Sequence, residues 1–144
     1  MKKFLFVLLA IIGLTSCGNN QKSNAHTAIP TAQKEYVEVL YFHGKQRCVT
    51  CNAIEKLTGE VMEKDFAKQV ENGKVVFKVI DISTGEGEKI ADKYEVTWSS
   101  LYINQWKDGK ETQNNMTDFG FSYAKDSPDT FKSEIKKKIE ELLK

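Results

Sequence analysis

Proline is almost missing from this chain: among 144 residues there are two, Pro30 and Pro128. Between them no X-Pro bond exists, and a cis bond without proline costs about 2.5 to 4 kcal/mol, so trans peptides are expected throughout. Histidine is as scarce, with only His26 and His43. That leaves no Ser-His-Asp order to defend and too few ligands for a closed four-ligand zinc site. No glycine-rich phosphate loop or flavin fingerprint is present, so no cofactor is expected. A formal net charge of +1 implies no nucleic-acid partner. The longest apolar run, Phe4 to Leu14, is eleven residues. Since a bilayer core needs about 20 helical residues, a permanent membrane helix is disfavoured.

What that run offers instead is a secretion signal. Lys2 and Lys3 precede it, and it closes on Leu14-Thr15-Ser16-Cys17. This tetrapeptide resembles the bacterial lipobox. The resemblance implies cleavage after residue 16 and acylation of Cys17, giving a lipid-anchored protein of the cell envelope that faces the periplasm, with Gly18 pointing to the outer membrane in a Gram-negative cell. The alternative is an ordinary signal peptide that leaves Cys17 as an odd thiol. Residues 17–35 are rich in Asn, Gln, Ser, Thr, Ala and Lys without apolar period and read as a flexible tether. Gly18 to Glu35 would span roughly 25 Å as a random coil. One domain over 36–144 is all the remaining length supports, and a monomer is expected.

Tyr36 to Phe42 reads as a strand, and Ile54, Leu57 and Val61 place a helix after it, with Phe66 and Val70 continuing the spacing until Asn72-Gly73. In Val75 to Ile82 both alternating faces are mostly apolar, which predicts a central strand covered by helices on both sides. Ser83 and Glu86 fit a capping box opening a short helix through Ile90, Ala91 and Tyr94. Ser100 to Trp106 is a strand, Asp108-Gly109 a hairpin turn, and Glu111 to Thr117 a returning polar edge strand. Residues 118–126 show no clear period. Ser127 caps and Pro128 opens a final helix with Phe131, Ile135, Ile139 and Leu142 on one face; its lysines form a solvated face.

Cys48 and Cys51 stand where the first strand passes into the first helix. N–H groups and aligned dipoles at a helix start favour an anion, lowering a thiol pKa from about 8.5 into a range of ~3.5 to 7.5. Cys48 is then the exposed nucleophile and Cys51, one turn in, the resolving thiol. Arg47 adds a positive charge beside the Cys48 anion, unless it is simply solvated. A structural staple is the bland alternative, but closing four residues stabilises by only about 2 kcal/mol, against about 3 for fifteen. Zinc is the other, with Cys48 and Cys51 as its only candidate thiolates here. His43 reads as packing or hydrogen bonding at the strand end, or as a group tuning Cys48 where its ring reaches the loop.

The order strand, Cys-x-x-Cys helix, strand, helix, strand, hairpin, helix resembles the thioredoxin fold over residues 36 to 144. Lys93-Tyr94-Glu95-Val96 and Lys107-Asp108-Gly109 match its second half. The resemblance implies an α/β domain with a mixed sheet of four to five strands flanked by helices, exchanging disulfides with envelope protein partners. It aligns Lys78 with a lysine of the second core strand, although an edge or sheet-end charge is an equal reading. It also places Trp98, Ser99 and Ser100 beside the disulfide, Trp98 as an apolar lip. Where thioredoxins carry a cis-proline this chain has Ser100, so altered docking follows, and a hydroxyl near the thiols would admit a soft metal or arsenite. The family's buried acid has no counterpart near Phe42. More closely, Tyr41-Phe42-His43-Gly44 through Val96-Thr97-Trp98-Ser99-Ser100 is similar to Bacteroidetes thioredoxin-like lipoproteins labelled nitrophenyl compound nitroreductase subunit ArsF. That label implies an accessory electron-transfer subunit of a nitroaromatic reductase.

Overall fold

The computed structural model describes residues 35–144. The signal segment 1–16, Cys17 and the tether up to residue 34 lie outside the described residues. The elements run β1 (Glu35–His43), α1 (Val49–Asp65), α2 (Ala67–Glu71), β2 (Val75–Asp81), α3 (Gly85–Lys93), β3 (Ser100–Lys107), β4 (Lys110–Thr112), α4 (Thr117–Tyr123) and α5 (Pro128–Leu142). They build one mixed sheet in the order β2-β1-β3-β4. β1 pairs parallel with β2, Val37 opposite Val75 and His43 opposite Asp81. It pairs antiparallel with β3, Phe42 opposite Ser100. This is a thioredoxin-like fold, with a βαβ crossover through α1 and a β3–β4 hairpin.

Alternation along β1 divides the core. Val37, Val39 and Tyr41 point to one face, where Leu101 and Ile103 of β3 join Ile54, Leu57 and Val61 of α1 and Phe131, Ile135 and Ile139 of α5. Leu40 and Phe42 point to the other, against Ile80, Ala91, Tyr94, Val96 and Tyr102. Each face follows from the two-residue period of the strands meeting the helical period of α1 and α5.

Several expectations need correction. Among the described residues β2 is an edge strand, with β1 its only neighbour. Its apolar residues on both faces reflect packing against helices above and below, Val75 in one core and Ile80 in the other. Strand position depends on pairing, which face composition does not encode. The first helix stops at Asp65, where the buried Phe66 leaves helical geometry with φ −123° before α2 starts. Thr84, not Ser83, caps α3: its hydroxyl accepts from the Gly87 N–H at 3.0 Å, while Ser83 N–H turns back to Asp81. Gly87 is required there, because a Cβ would run into the Asp81 carbonyl. The return strand after Asp108-Gly109 is only three residues long, and the unplaced segment forms α4. Ser127 occupies the cap position of α5, but its side chain makes no capping bond.

On the sheet face away from α1 and α5, a polar network closes the end where β1 begins. Buried Glu38 on β1 accepts from Lys78 Nζ at 2.6 Å and Trp106 Nε1 at 3.1 Å. Beside it, Glu111 of β4 accepts from the Tyr94 hydroxyl at 2.5 Å and Asn104 Nδ2 at 2.9 Å, and pairs with Lys93 at 2.8 Å. Buried carboxylates persist where their lone pairs are occupied by donors in this way. Burial alone would raise the Glu111 carboxyl, but the hydrogen bonds from Lys93 and Tyr94, the Lys93 charge and Asn104 bring it below its ordinary value.

A carboxyl lowered in the fold contributes stability that is present above its unfolded pKa, about 4.3, and disappears as pH falls through the folded value. Glu111→Gln is therefore expected to be less stable than the parent at pH 7, with the difference shrinking as the pH falls below about 4. Urea midpoints across that range measure it.

Candidate active site

The chain leaves β1 at His43 and reaches Cys48 after four residues. Cys48 is the N-cap of α1 and Cys51 lies in its first turn. The two are joined as a disulfide with Cα atoms 5.0 Å apart, inside the usual range for such bridges. Cys48 is exposed, whereas Cys51 is 6 % exposed. The Cys51 N–H points at Cys48 Sγ, 3.0 Å away. That donor is one of the helix-start N–H groups without an intrahelical acceptor, so it would stabilise a negative charge on Cys48 once the bond is reduced.

Around the bridge opens a cleft of about 690 Å³, lined among others by Arg47, Cys48, Ile82, Trp98, Ser99 and Phe121. Glu95, in a left-handed conformation with φ 55°, ends the turn after α3 and sends the chain into the Trp98 loop. The Trp98 ring is 55 % exposed and packs on Phe121 with centroids 5.1 Å apart. These rings make an apolar wall of the cleft, and Val49, next to Cys48 in the chain, is 72 % exposed. All described peptide bonds are trans.

The residues expected at the site do not all meet there. Trp98 and Ser99 line the cleft. Ser100 is buried at the start of β3, its hydroxyl donating to the Trp98 carbonyl at 3.2 Å. Arg47 is present, but its guanidinium is ion-paired with Glu55 on the next turn of α1, so it reaches Cys48 as one half of a neutralised pair rather than as a free cation. Lys78 does not line the cleft. It serves the Glu38 network on the opposite half of the sheet; a single buried acid on β1 drew it there. Among the described residues no group of three or more His, Cys, Asp or Glu is placed to hold a metal ion.

Two contributors were not legible beforehand. Phe121 arrives on α4, whose aromatics at 119, 121 and 123 have the spacing of a strand. In the helix Phe119 turns to Phe131 while Phe121 turns to Trp98, and Gly120 lets the turn approach Ile54 of α1. Tyr41 read as one more apolar strand residue. It is fully buried, and its hydroxyl donates to the Cys51 carbonyl at 2.7 Å. Burial pushes this phenol above its usual pKa, and the neighbouring Ser99 hydroxyl and Arg47 charge offset part of the rise. Its one advance signal was a polar tip on an otherwise apolar face.

No protein-family model and no curated protein matches the sequence. Among solved structures, the chain is similar to a Schistosoma mansoni thioredoxin pre-protein at 17% identity and TM-score 0.46, covering 76% of this chain and 81% of that one. It is similar to an uncharacterised thioredoxin-like protein from Clostridium perfringens at 14% identity and TM-score 0.46, covering 77% and 74%. A Thermus thermophilus thioredoxin aligns at 16% identity and TM-score 0.42, covering 69% and 74%.

The unequal exposure of the two sulfurs has a direct readout. After reduction, Cys48 is expected to be alkylated by iodoacetamide roughly tenfold or more faster than Cys51, because only the accessible, helix-start thiol is both ionised and reachable. Timed quenching and peptide mass spectrometry measure the two rates; equal rates would contradict the assignment.

Proposed function

We propose that this chain is a thiol–disulfide oxidoreductase of the cell envelope, acting on protein partners through Cys48 and Cys51 and held at a membrane by a lipid on Cys17. The observation that carries the reading is the asymmetric bridge: an exposed sulfur at a helix start, bonded to a buried one, in a cleft with an apolar wall. In the reducing direction the Cys48 thiolate attacks a partner disulfide. A Cys48–partner bond forms, and the departing partner thiolate takes a proton from water. Cys51 then loses its proton to water and attacks Cys48 Sγ, closing the bridge and releasing the second partner thiolate, which is protonated in turn. The partner gains two electrons and the Cys48/Cys51 pair loses them. The oxidising direction is the reverse, and the Cys48/Cys51 potential, between about −270 and −120 mV in proteins of this chemistry, decides which dominates.

The lipobox-like Leu14-Thr15-Ser16-Cys17 supports the anchor, and among the described residues no helix is long and apolar enough to cross a membrane. Acyl chains on one residue hold a protein at a bilayer surface. In this reading the catalytic domain works beside the membrane on partners of the same compartment.

Cys51→Ser is expected to accumulate covalent partner adducts that reductant releases, while Cys48→Ser forms none and loses exchange activity. Non-reducing gels of cells expressing each variant show the difference, and a Cys51→Ser protein that captures nothing would overturn the reading. Cys17→Ala is expected to move the protein from the membrane pellet to the soluble fraction.

A further inference from the structure

We infer that Tyr41 is the positioning residue that keeps Cys51 in line for the resolving attack; the inference rests on the oxidoreductase reading and adds to it a residue outside the Cys-x-x-Cys segment. Tyr41 stands on β1, the strand bonded along both edges. Its hydroxyl donates to the carbonyl of Cys51 at 2.7 Å, so the first turn of α1 is tied to the sheet at the buried cysteine itself. Around this bond the other contacts close a clamp. The Arg47 guanidinium lies over the Tyr41 ring, 5.8 Å from its centroid, and pairs with Glu55 of α1. Ser99, from the Trp98 loop, lines the cleft beside Cys51. Tyr41 therefore joins the central strand to the helix start at one oxygen.

The consequence lies in which cysteine is held. Cys48 is exposed and its backbone carbonyl takes only the ordinary helix bond from Asn52, while Cys51 carries the extra bond to the sheet. When the mixed disulfide forms, Cys48 Sγ is joined to a partner that pulls it outward. Resolution then requires the Cys51 thiolate to meet Cys48 Sγ opposite the partner sulfur, and a fixed Cys51 turns this into an intramolecular reaction at high effective concentration. The step is the one already written: the Cys51–Cys48 bond forms, the Cys48–partner bond breaks, and the partner thiolate leaves with a proton from water. Tyr41 transfers no proton. Its phenol, raised above the usual value, stays protonated and donating throughout the neutral range.

Reduced protein mixed with excess 5,5′-dithiobis(2-nitrobenzoate) separates the two steps. The first thionitrobenzoate is released by Cys48 attack at a rate proportional to reagent, and the second by Cys51 closure at a rate independent of it. In Tyr41→Phe the first phase is expected to stay within about twofold, while the second slows roughly three- to tenfold, the effect of one lost buried hydrogen bond. Tyr41→Leu, which also removes the hydroxyl and keeps an apolar side chain on the buried strand, is expected to slow only the second phase to a similar extent; it provides the test if Tyr41→Phe does not fold. A Tyr41→Phe protein with lower thermal stability and an unchanged second phase, or with both phases slowed alike, overturns the proposal and leaves the oxidoreductase reading standing. A parent protein with no second phase overturns both.

Discussion

Strand β1 is fixed on all four sides, and the position of the disulfide depends on that. From Val37 to Phe42 every residue is buried, with β2 bonded along one edge, β3 along the other and apolar cores on both faces. Breaking any of these contacts exposes backbone donors or apolar surface, each of which is unfavourable. The chain leaves this strand four residues before Cys48. The helix start is thus held against the least yielding part of the domain, while the outer sulfur stays in solvent.

Helix geometry then makes the two cysteines unlike. At the N-cap, Cys48 meets an N–H with no intrahelical acceptor; one turn in, Cys51 sinks against the core. Such a difference suits stepwise exchange, in which one sulfur meets the partner and the other waits. Arg47 shows how local context redirects a charge that looked available. Glu55, eight residues away in sequence on α1, neutralises it, so the field at Cys48 owes more to the helix start than to the neighbouring guanidinium.

The opposite half of the sheet shows a different solution to burial. Among the described residues only α3 packs on that face, at the end near Phe42 and Ile80. At the other end two carboxylates, Glu38 and Glu111, are each saturated by donors from separate strands and from the end of α3. Satisfied networks of this kind tolerate low dielectric surroundings, whereas a half-satisfied one would not. Lys78 belongs to this network, and its distance from the cleft follows from the register that sets it beside Leu40, two residues beyond Glu38 on β1.

The sequence by itself determined the order of β1, α1, β2, α3, β3 and α5, the two periodic core faces, the Asp108-Gly109 turn and the Cys-x-x-Cys pair at a helix start. These rest on interactions within a few residues or on periods of two and 3.6, which are written along the chain. Only the tertiary structure decided that β2 lies at an edge among the described residues, that Arg47 is paired, that Lys78 serves Glu38, that Phe121 lines the cleft and that Tyr41 holds the Cys51 carbonyl. Each of those depends on what lies across the fold: Glu38 is 40 residues from Lys78, and Tyr41 acts on Cys51 through a backbone carbonyl that no side-chain motif records. Partner choice among buried polar and aromatic groups is settled by packing, and packing is a property of the whole domain.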